Sequence, residues 1–375
     1  MRIAINYRFG TYAYQEGYAA FTNGISSAMA KQCPEDRFLL CSDRKPAMEI
    51  ALEGNQEWLI GGPPARHPLL WKYWYDVKWP RMASGAQADV LLSPDGFCSL
   101  NTSIPQVMVI HDLAFLHFPT FLPRTQQWYY RTYTAAFIRK ARRIITVSEF
   151  SRDDIIAHYP AAKGKIEVVH NATESDFHSW TWEEREKIKE RYTAGSDYFI
   201  CVGSMHPRKN LVNLLKGFSA FKKRQKSNMK LVIVGRLAWQ TESFMEALRT
   251  FKFREDVILT GYIPRLQLTE LTGAAYALVY PSLWEGFGLP VLEAMRSGVP
   301  VLASGNSAVP ELAGTAALYF DPYDPSSIGA EMMRIYKEEL RKKAMSQEGL
   351  IRAAAFQWDR SAKQVREILA DAVNS

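Results

Sequence analysis

Short apolar runs alternate with longer amphipathic stretches along almost the whole chain. Residues 2–7, 37–41, 90–93, 106–111 and 144–147 read as buried strands, since each is a brief apolar run bounded by polar or turn-forming residues. Between them, 20–31 and 128–140 carry apolar residues at helical spacing. A second series of strands follows a charged helix at 182–192: residues 198–202, 230–234, 257–259, 277–280, 299–303 and 317–320. This alternation predicts βαβ units and parallel sheets, with ligands bound outside the carboxyl ends of the strands. The polar, turn-rich stretch 171–180 separates the two series. The expected fold class is therefore α/β, two Rossmann-like doubly wound domains facing a cleft, at 1–173 and 174–356. Amphipathic helices at 325–343 and 357–373 close the chain. Periodicity leaves open whether the last of them, about 357–375, packs on the second domain or returns to the first.

Length agrees with this division, because 375 residues exceed the size at which one core usually keeps growing. No run of about 18 apolar residues occurs, and the start MRIAINYRFG reads as a charged strand instead of a signal peptide. The expected location is cytoplasmic. Cys33, Cys41, Cys98 and Cys201 are scattered without a CxxC pair, which suits free thiols in a reducing compartment and offers no metal cage. The net charge of +7 suits contact with an anion such as a nucleotide, an anionic membrane or nucleic acid.

The stretch YFICVGSMHPRKNLVNLLKGF, 198–218, is a strand, a tight turn at Gly203 and Ser204, and a helix with Leu211, Leu214, Leu215 and Phe218 on one face. Arg208 and Lys209 fall at or just before the helix N-terminus, where the macrodipole disfavours cations by roughly 0.3–1 kcal/mol each. An anion joining them there would complete a phosphate site. A solvated basic loop accounts for this segment alone equally well.

The stretch PSLWEGFGLPVLEAMRSGVP, 281–300, adds two carboxylates to otherwise apolar, glycine- and proline-rich surroundings. Pro290 fits the first turn of a helix that runs to about Ser297 and stops at Gly298. Glu293 is then expected in that first turn, favoured by the helix dipole. Glu285 is expected in the preceding loop, where Gly286 and Gly288 let the backbone approach a ligand. Taken singly, Glu293 could cap its own helix and Glu285 could be solvated. The pair, in this glycine and proline setting, points to a ligand instead.

The pattern EGFGLPVLE resembles the E-x7-E motif of retaining glycosyltransferases with the GT-B fold, and more narrowly the large family four of nucleotide-sugar-dependent transferases. GSMHPRKN at 203–210 and LVIVGRLAW at 231–239 resemble further stretches of that family. VIHDLAFLHFP at 109–119 and VSEFSRDDI at 147–155 resemble its mannosyltransferase-like members. The resemblance runs through nearly the whole chain in family order. It implies that Arg208 and Lys209 bind the donor diphosphate, with Gly203 and Ser204 in the turn beside them. It implies that Glu293 bonds the ribose hydroxyls, that Glu285 faces the donor sugar, and that the backbone at Phe287, Gly288 and Leu289 approaches sugar and phosphate. Tyr262 and Ile263 fall where the main chain meets the base, and His111 of the first domain is placed to reach the transferred sugar.

One stretch departs from the family. Its double-glycine loop after the first strand is replaced by FGTYAYQEGY at 9–18, leaving Gly10 and Gly17 as candidates, with Tyr14 and Glu16 at an acceptor mouth. Asp112 is a further neighbour of His111. No D-x-D triplet occurs, so the metal-and-carboxylate clamp of the other large transferase class has no candidate. The expected chemistry needs no metal and no cofactor; the nucleotide sugar is the substrate. The expected partners are that donor and a glycan or lipid-linked acceptor, and nucleic acid does not explain the two acids. Ser148 and Glu149 read as a helix cap. The basic, aromatic stretch 124–144 suits a helix with a solvated basic face, and alternatively a peripheral contact with an anionic membrane. The expected donor is GDP-mannose, with UDP-glucose and UDP-N-acetylglucosamine as alternatives. A sugar-nucleotide epimerase and a non-catalytic nucleotide-sugar-binding module are the rival functions.

Overall fold

In the computed structural model, which describes residues 1–12 and 17–374, the chain divides into two units: Met1–Ala172 with Gln357–Ser375, and Thr173–Phe356. In the first unit β1 (Arg2–Asn6), β2 (Arg37–Ser42), β3 (Gln56–Ile60), β4 (Val90–Ser93), β5 (Gln106–Val109), β6 (Arg143–Thr146) and β7 (Ile166–Val168) form a sheet in the order β3-β2-β1-β4-β5-β6-β7. Every pairing in it is parallel, with Ile3 opposite both Phe38 and Val90. The interior strands are apolar in their middles, as in Ile3–Ile5 and Phe38–Cys41, which suits a parallel sheet buried on both faces.

In the second unit β8 (Tyr198–Val202), β9 (Lys230–Val234), β10 (Val257–Gly261), β11 (Ala277–Tyr280), β12 (Val301–Ser304) and β13 (Ala317–Phe320) pair in the order β10-β9-β8-β11-β12-β13, again all parallel. The helix Leu211–Gln225 buries Leu211, Leu214, Leu215 and Phe218, the apolar face expected from spacing. In both sheets the strand order reverses beside the first strand, between β1 and β4 and between β8 and β11. That reversal opens a crevice outside the carboxyl ends of those strands, where α/β sheets bind ligands.

Three features differ from the sequence reading. The strands β3 and β7 were not anticipated: both are sheet edges, and QEWLI and IEV lack a continuous apolar run. The helix expected over 325–343 is two helices, Pro325–Lys337 and Glu339–Ala353, broken at Glu338, whose φ of −100° and ψ of 74° are not helical. The strand expected from 299 begins at Val301, after Pro300.

The last helix, Trp358–Asn374, belongs to the first unit. The Trp358 ring meets Phe21 edge-on at 6.2 Å, Ser361 Oγ donates to the His170 carbonyl at 2.7 Å, and Arg366 Nε donates to Asp36 at 3.0 Å. Among the described residues no helix is long and apolar enough to cross a membrane. In the helix Arg124–Lys140 the aromatic positions divide. Tyr129 and Phe137 are core, whereas Trp128 is 52% exposed on a face shared with Arg124 and Arg131.

Candidate active site

The two acids and two bases singled out in the sequence lie in the second unit, and three of the four come together outside the carboxyl ends of β8 and β11. After β8 the chain turns at Gly203, whose φ of +145° favours glycine; a Cβ there would lie 3.0 Å from Lys209 Cε, so the bare backbone gives the lysine stem its path. Pro207–Lys209 then form one 3₁₀ turn, and the Arg208 N–H donates to His206 Nδ1 at 3.2 Å. Asn210, itself at φ +58°, donates from Nδ2 to the carbonyls of Pro281 at 3.1 Å and Pro322 at 2.6 Å. The Leu283 N–H donates to the Arg208 carbonyl at 2.8 Å. These bonds tie the basic turn to the loop after β11 and, through Pro322, to the segment after β13.

That loop is buried from Glu285 to Gly288. The Glu285 N–H donates to Ser307 Oγ at 3.2 Å, and the Glu285 carbonyl accepts from Ala308 N at 3.2 Å. Its carboxylate faces the basic turn. Lys209 Nζ lies 2.6 Å from Glu285 Oε1 and donates to Tyr280 OH at 2.9 Å; Arg208 Nη1 lies 3.1 Å from Glu285 Oε2 and donates to the Trp284 carbonyl; Ser282 Oγ donates to Oε1. The anion that joins Arg208 and Lys209 in this structure is thus Glu285 itself. Burial pushes the Glu285 carboxyl up, but the charges of Arg208 and Lys209, with hydrogen bonds from Lys209 and Ser282, outweigh it and hold the pKa at about 2. Two cations against one carboxylate leave one net positive charge at the crevice, beside the N-terminus of the helix Leu211–Gln225. Such a place receives an anion readily.

Glu293 is held differently. The helix is Leu289–Arg296 with Gly288, at φ +106°, as its cap residue. Glu293 is its fifth residue, so the expected place in the first turn is corrected: the carboxyl lies beyond the turn in which the helix dipole acts. No side-chain hydrogen bond reaches it among the described residues. Burial raises its pKa to about 7, with the Arg265 cation pulling the other way and Asp176 adding to the rise. Arg265 offers only partial relief because it is already paired with Asp176, Nε to Oδ2 at 2.5 Å and Nη2 to Oδ1 at 2.9 Å. Near neutral pH Glu293 is an under-compensated acid, suited to a partner that donates hydrogen bonds.

Of the remaining residues, Phe287 is buried and meets Phe356 edge-on at 5.7 Å, seating the loop. Leu289 opens the helix, and Ser204 is partly exposed after β8. Tyr262, 41% exposed, and Ile263 follow the edge strand β10. In the first unit His111 follows β5; its Nε2 donates to the Pro94 carbonyl at 2.9 Å, and burial lowers its pKa, so the ring is neutral with Nδ1 as acceptor. Asp112 Oδ1 accepts from Ala114 N at 2.9 Å, a local turn contact. Gly10 is buried against Tyr7, and Gly17 opens the helix Gly17–Gln32. Tyr14 and Glu16 lie outside the described residues. Ser148 caps the helix Glu149–His158 by accepting from Ser151 N.

The sequence reading missed Tyr280, Ser282 and His206, which hold Lys209, Glu285 and Arg208 in place. Ser282, three residues before Glu285 just past a strand end, was the one with a readable signal.

Comparison with known proteins fits this geometry. The family model described as "Glycosyl transferases group 1" matches residues 183–352, and that of "Glycosyltransferase Family 4" matches residues 36–177. The O-antigen chain mannosyltransferase B of Escherichia coli is 30% identical over 259 residues, 69% of this chain and 68% of that protein. This chain is a family 4, group 1 glycosyltransferase. The O-antigen chain mannosyltransferase RfbU of Salmonella typhimurium is 30% identical over 61% of the glycosyltransferase described here and 62% of its own length. The sucrose-phosphate synthase from Thermosynechococcus elongatus superposes with a TM-score of 0.80 at 16% identity, over 99% of this glycosyltransferase and 98% of that one. The fold is GT-B.

Proposed function

We propose that this glycosyltransferase moves mannose from GDP-mannose to a glycan or lipid-linked acceptor in surface polysaccharide synthesis, with retention at the anomeric carbon and without a divalent metal. The observation that carries the donor site is the Glu285–Arg208–Lys209 cluster, with its residual positive charge, outside β8 and β11. The mannose assignment is supported by the two relatives named as O-antigen mannosyltransferases.

In this reading the donor diphosphate adds to Arg208 and Lys209 and to the N–H groups at the head of the helix Leu211–Gln225. The bond from the anomeric carbon to the diphosphate oxygen breaks, and the acceptor hydroxyl oxygen bonds to that carbon on the same face. The hydroxyl proton goes to the departing phosphate oxygen. Arg208 and Lys209 stabilise the charge that develops there, as preorganised electrostatics does in acyl transfer. Glu285 keeps the two cations in place and orients the sugar. Glu293 accepts hydrogen bonds from the ribose hydroxyls, for which the lack of a side-chain hydrogen bond to it among the described residues suits it. His111, neutral, offers Nδ1 as an acceptor to a sugar hydroxyl. Phe287, Gly288 and Leu289 bring main chain to sugar and phosphate, Gly203 and Ser204 shape the turn, and Tyr262 and Ile263 meet the base. Gly10, Gly17, Tyr14, Glu16 and Asp112 are assigned to the acceptor side.

A thermal-shift and transfer screen over GDP- and UDP-sugars tests this reading. Stabilisation and transfer with GDP-mannose support it, while preference for UDP-glucose or UDP-N-acetylglucosamine replaces the donor. Free sugar released as product without acceptor favours an epimerase, and binding without turnover favours a binding module. Strict dependence on added Mg²⁺ or Mn²⁺ contradicts the metal-free scheme. Peripheral membrane contact through the exposed face of Arg124, Trp128 and Arg131 is tested by flotation on anionic liposomes, which low salt should promote and high salt abolish.

A further inference from the structure

Outside the donor site the first unit holds a compact set of nitrogen and oxygen ligands that the transfer scheme does not use. His117 ends the short helix Ala114–His117, and Asp154 and His158 lie one turn apart on the helix Glu149–His158. His117 Nε2 is 3.0 Å from each Asp154 oxygen, and His158 Nδ1 is 3.1 Å from Asp154 Oδ1. The three ligand atoms all lie within 4.8 Å of one another, and the two imidazole planes meet at 85°. Asp154 is the least exposed, with 12% of its side chain open, against 26% for His117 and 41% for His158.

We propose that His117, Asp154 and His158 form a three-ligand site for a divalent ion of the zinc class. Zinc–nitrogen and zinc–oxygen bonds of about 2.0–2.2 Å require donor atoms only slightly further apart than these, so small side-chain rotations admit the ion. Two imidazoles and one carboxylate suit zinc, and the harder magnesium and calcium ions prefer all-oxygen sets. The exposure of His158 leaves room for water as a fourth ligand. The ligands of this cluster are bonded to one another, His158 Nδ1 also donating to the Asp154 carbonyl at 3.0 Å, whereas in the second cluster, Cys33, Glu35 and Asp36, the Asp36 carboxylate is held by two cations, the N-terminal ammonium at 2.6 Å and Arg366 at 3.0 Å, which an ion would have to displace.

The site joins two elements that also meet at His111. Ser151, on the same helix as Asp154, donates from Oγ to the His111 carbonyl at 3.1 Å, and His117 lies six residues beyond His111. An ion held here clamps the segment that carries His111 to the helix Glu149–His158. Its part is structural, and it stands whether or not the donor assignment does.

The test uses tag-free full-length protein, stripped with a chelator and titrated calorimetrically with ZnCl₂. Wild type should take up one equivalent per chain, its thermal midpoint should rise with zinc, and CoCl₂ in place of zinc should give the intense visible absorption of a four-coordinate site. Asp154→Asn and His117→Ala should each weaken zinc by more than the roughly 10–100-fold that losing an outer-shell partner costs. Asp153→Asn, one residue away with 70% of its side chain exposed, should leave binding unchanged. Absence of a stoichiometric zinc isotherm in the folded wild type, or equal affinity in all variants, would overturn the proposal and leave a hydrogen-bonded His–Asp–His cluster. Sugar-nucleotide binding, measured on the same samples, reports separately on the donor site.

Discussion

The loop that carries Glu285 and the helix that carries Glu293 are eight residues apart in the chain and treat a carboxyl group in opposite ways. Both are desolvated. Around Glu285 the protein supplies Arg208, Lys209 and Ser282, and the acid stays ionised down to about pH 2. Around Glu293 the opposing cation is Arg265, already paired with Asp176, and the acid titrates at about 7. Burial therefore does not decide the state of either group; the number of partners does. Under the proposed function, Glu285 would hold the two cations for an arriving diphosphate, and Glu293 would take the donors that ribose hydroxyls supply.

The largest expected effect is at the compensated end. Glu285→Gln leaves Arg208 and Lys209 side by side without their carboxylate and should cost about 3 kcal/mol of stability, at the lower end of broken buried pairs because Arg208 is 24% exposed. Chemical denaturation measures that loss, and turnover should fall by roughly 10²–10³-fold if the pair also stabilises the leaving diphosphate. Unchanged stability would mean that the ion pairs do not form.

The opposite sign is expected at the other end. Because the folded pKa of Glu293 is raised from 4.5 to about 7, the folded state holds its proton longer than the unfolded chain. Stability should fall as pH rises from about 4.5 to about 7 and level off above. Glu293→Gln should remove that slope and stabilise the ligand-free protein at pH 8 by on the order of 2 kcal/mol, while weakening donor binding. Glu285 gives the reverse profile: its depressed pKa contributes stability above about 4.5 that is lost as pH falls toward about 2.

Smaller changes sharpen the contrast. Ser282→Ala removes one hydrogen bond to the ionised Glu285 and should cost about 1–2 kcal/mol, with acid unfolding moved to higher pH. Arg265→Ala takes away the cation that opposes the rise at Glu293, so the pKa of that acid should move further up, a shift readable by carboxyl-carbon NMR.

How much of this was legible beforehand follows the same line. Interior strands such as LVIV of β9 announce themselves because both faces are buried, and edge strands such as IEV of β7 do not, since half their surface is wet. The break at Glu338 has neither glycine nor proline to mark it. Arg208, Lys209, Glu285 and Glu293 were all readable as candidates from their local stretches. Their partnership was not, since Lys209 and Glu285 are 76 residues apart and only the switch point of the sheet brings them together. The misplacement of Glu293 came from putting it in the same first turn as Pro290; the chain enters the helix at Leu289, which makes Glu293 its fifth residue, and the dipole argument fades within that single turn.

Calorimetric titration of GDP-mannose near pH 7, repeated in buffers of different ionisation enthalpy, tests the central claim most directly. If ribose hydroxyls donate to Glu293, binding ionises that acid, and wild type should release roughly half a proton near its pKa of about 7, with no release from Glu293→Gln. Binding without proton release, or the same release from both proteins, would contradict the account.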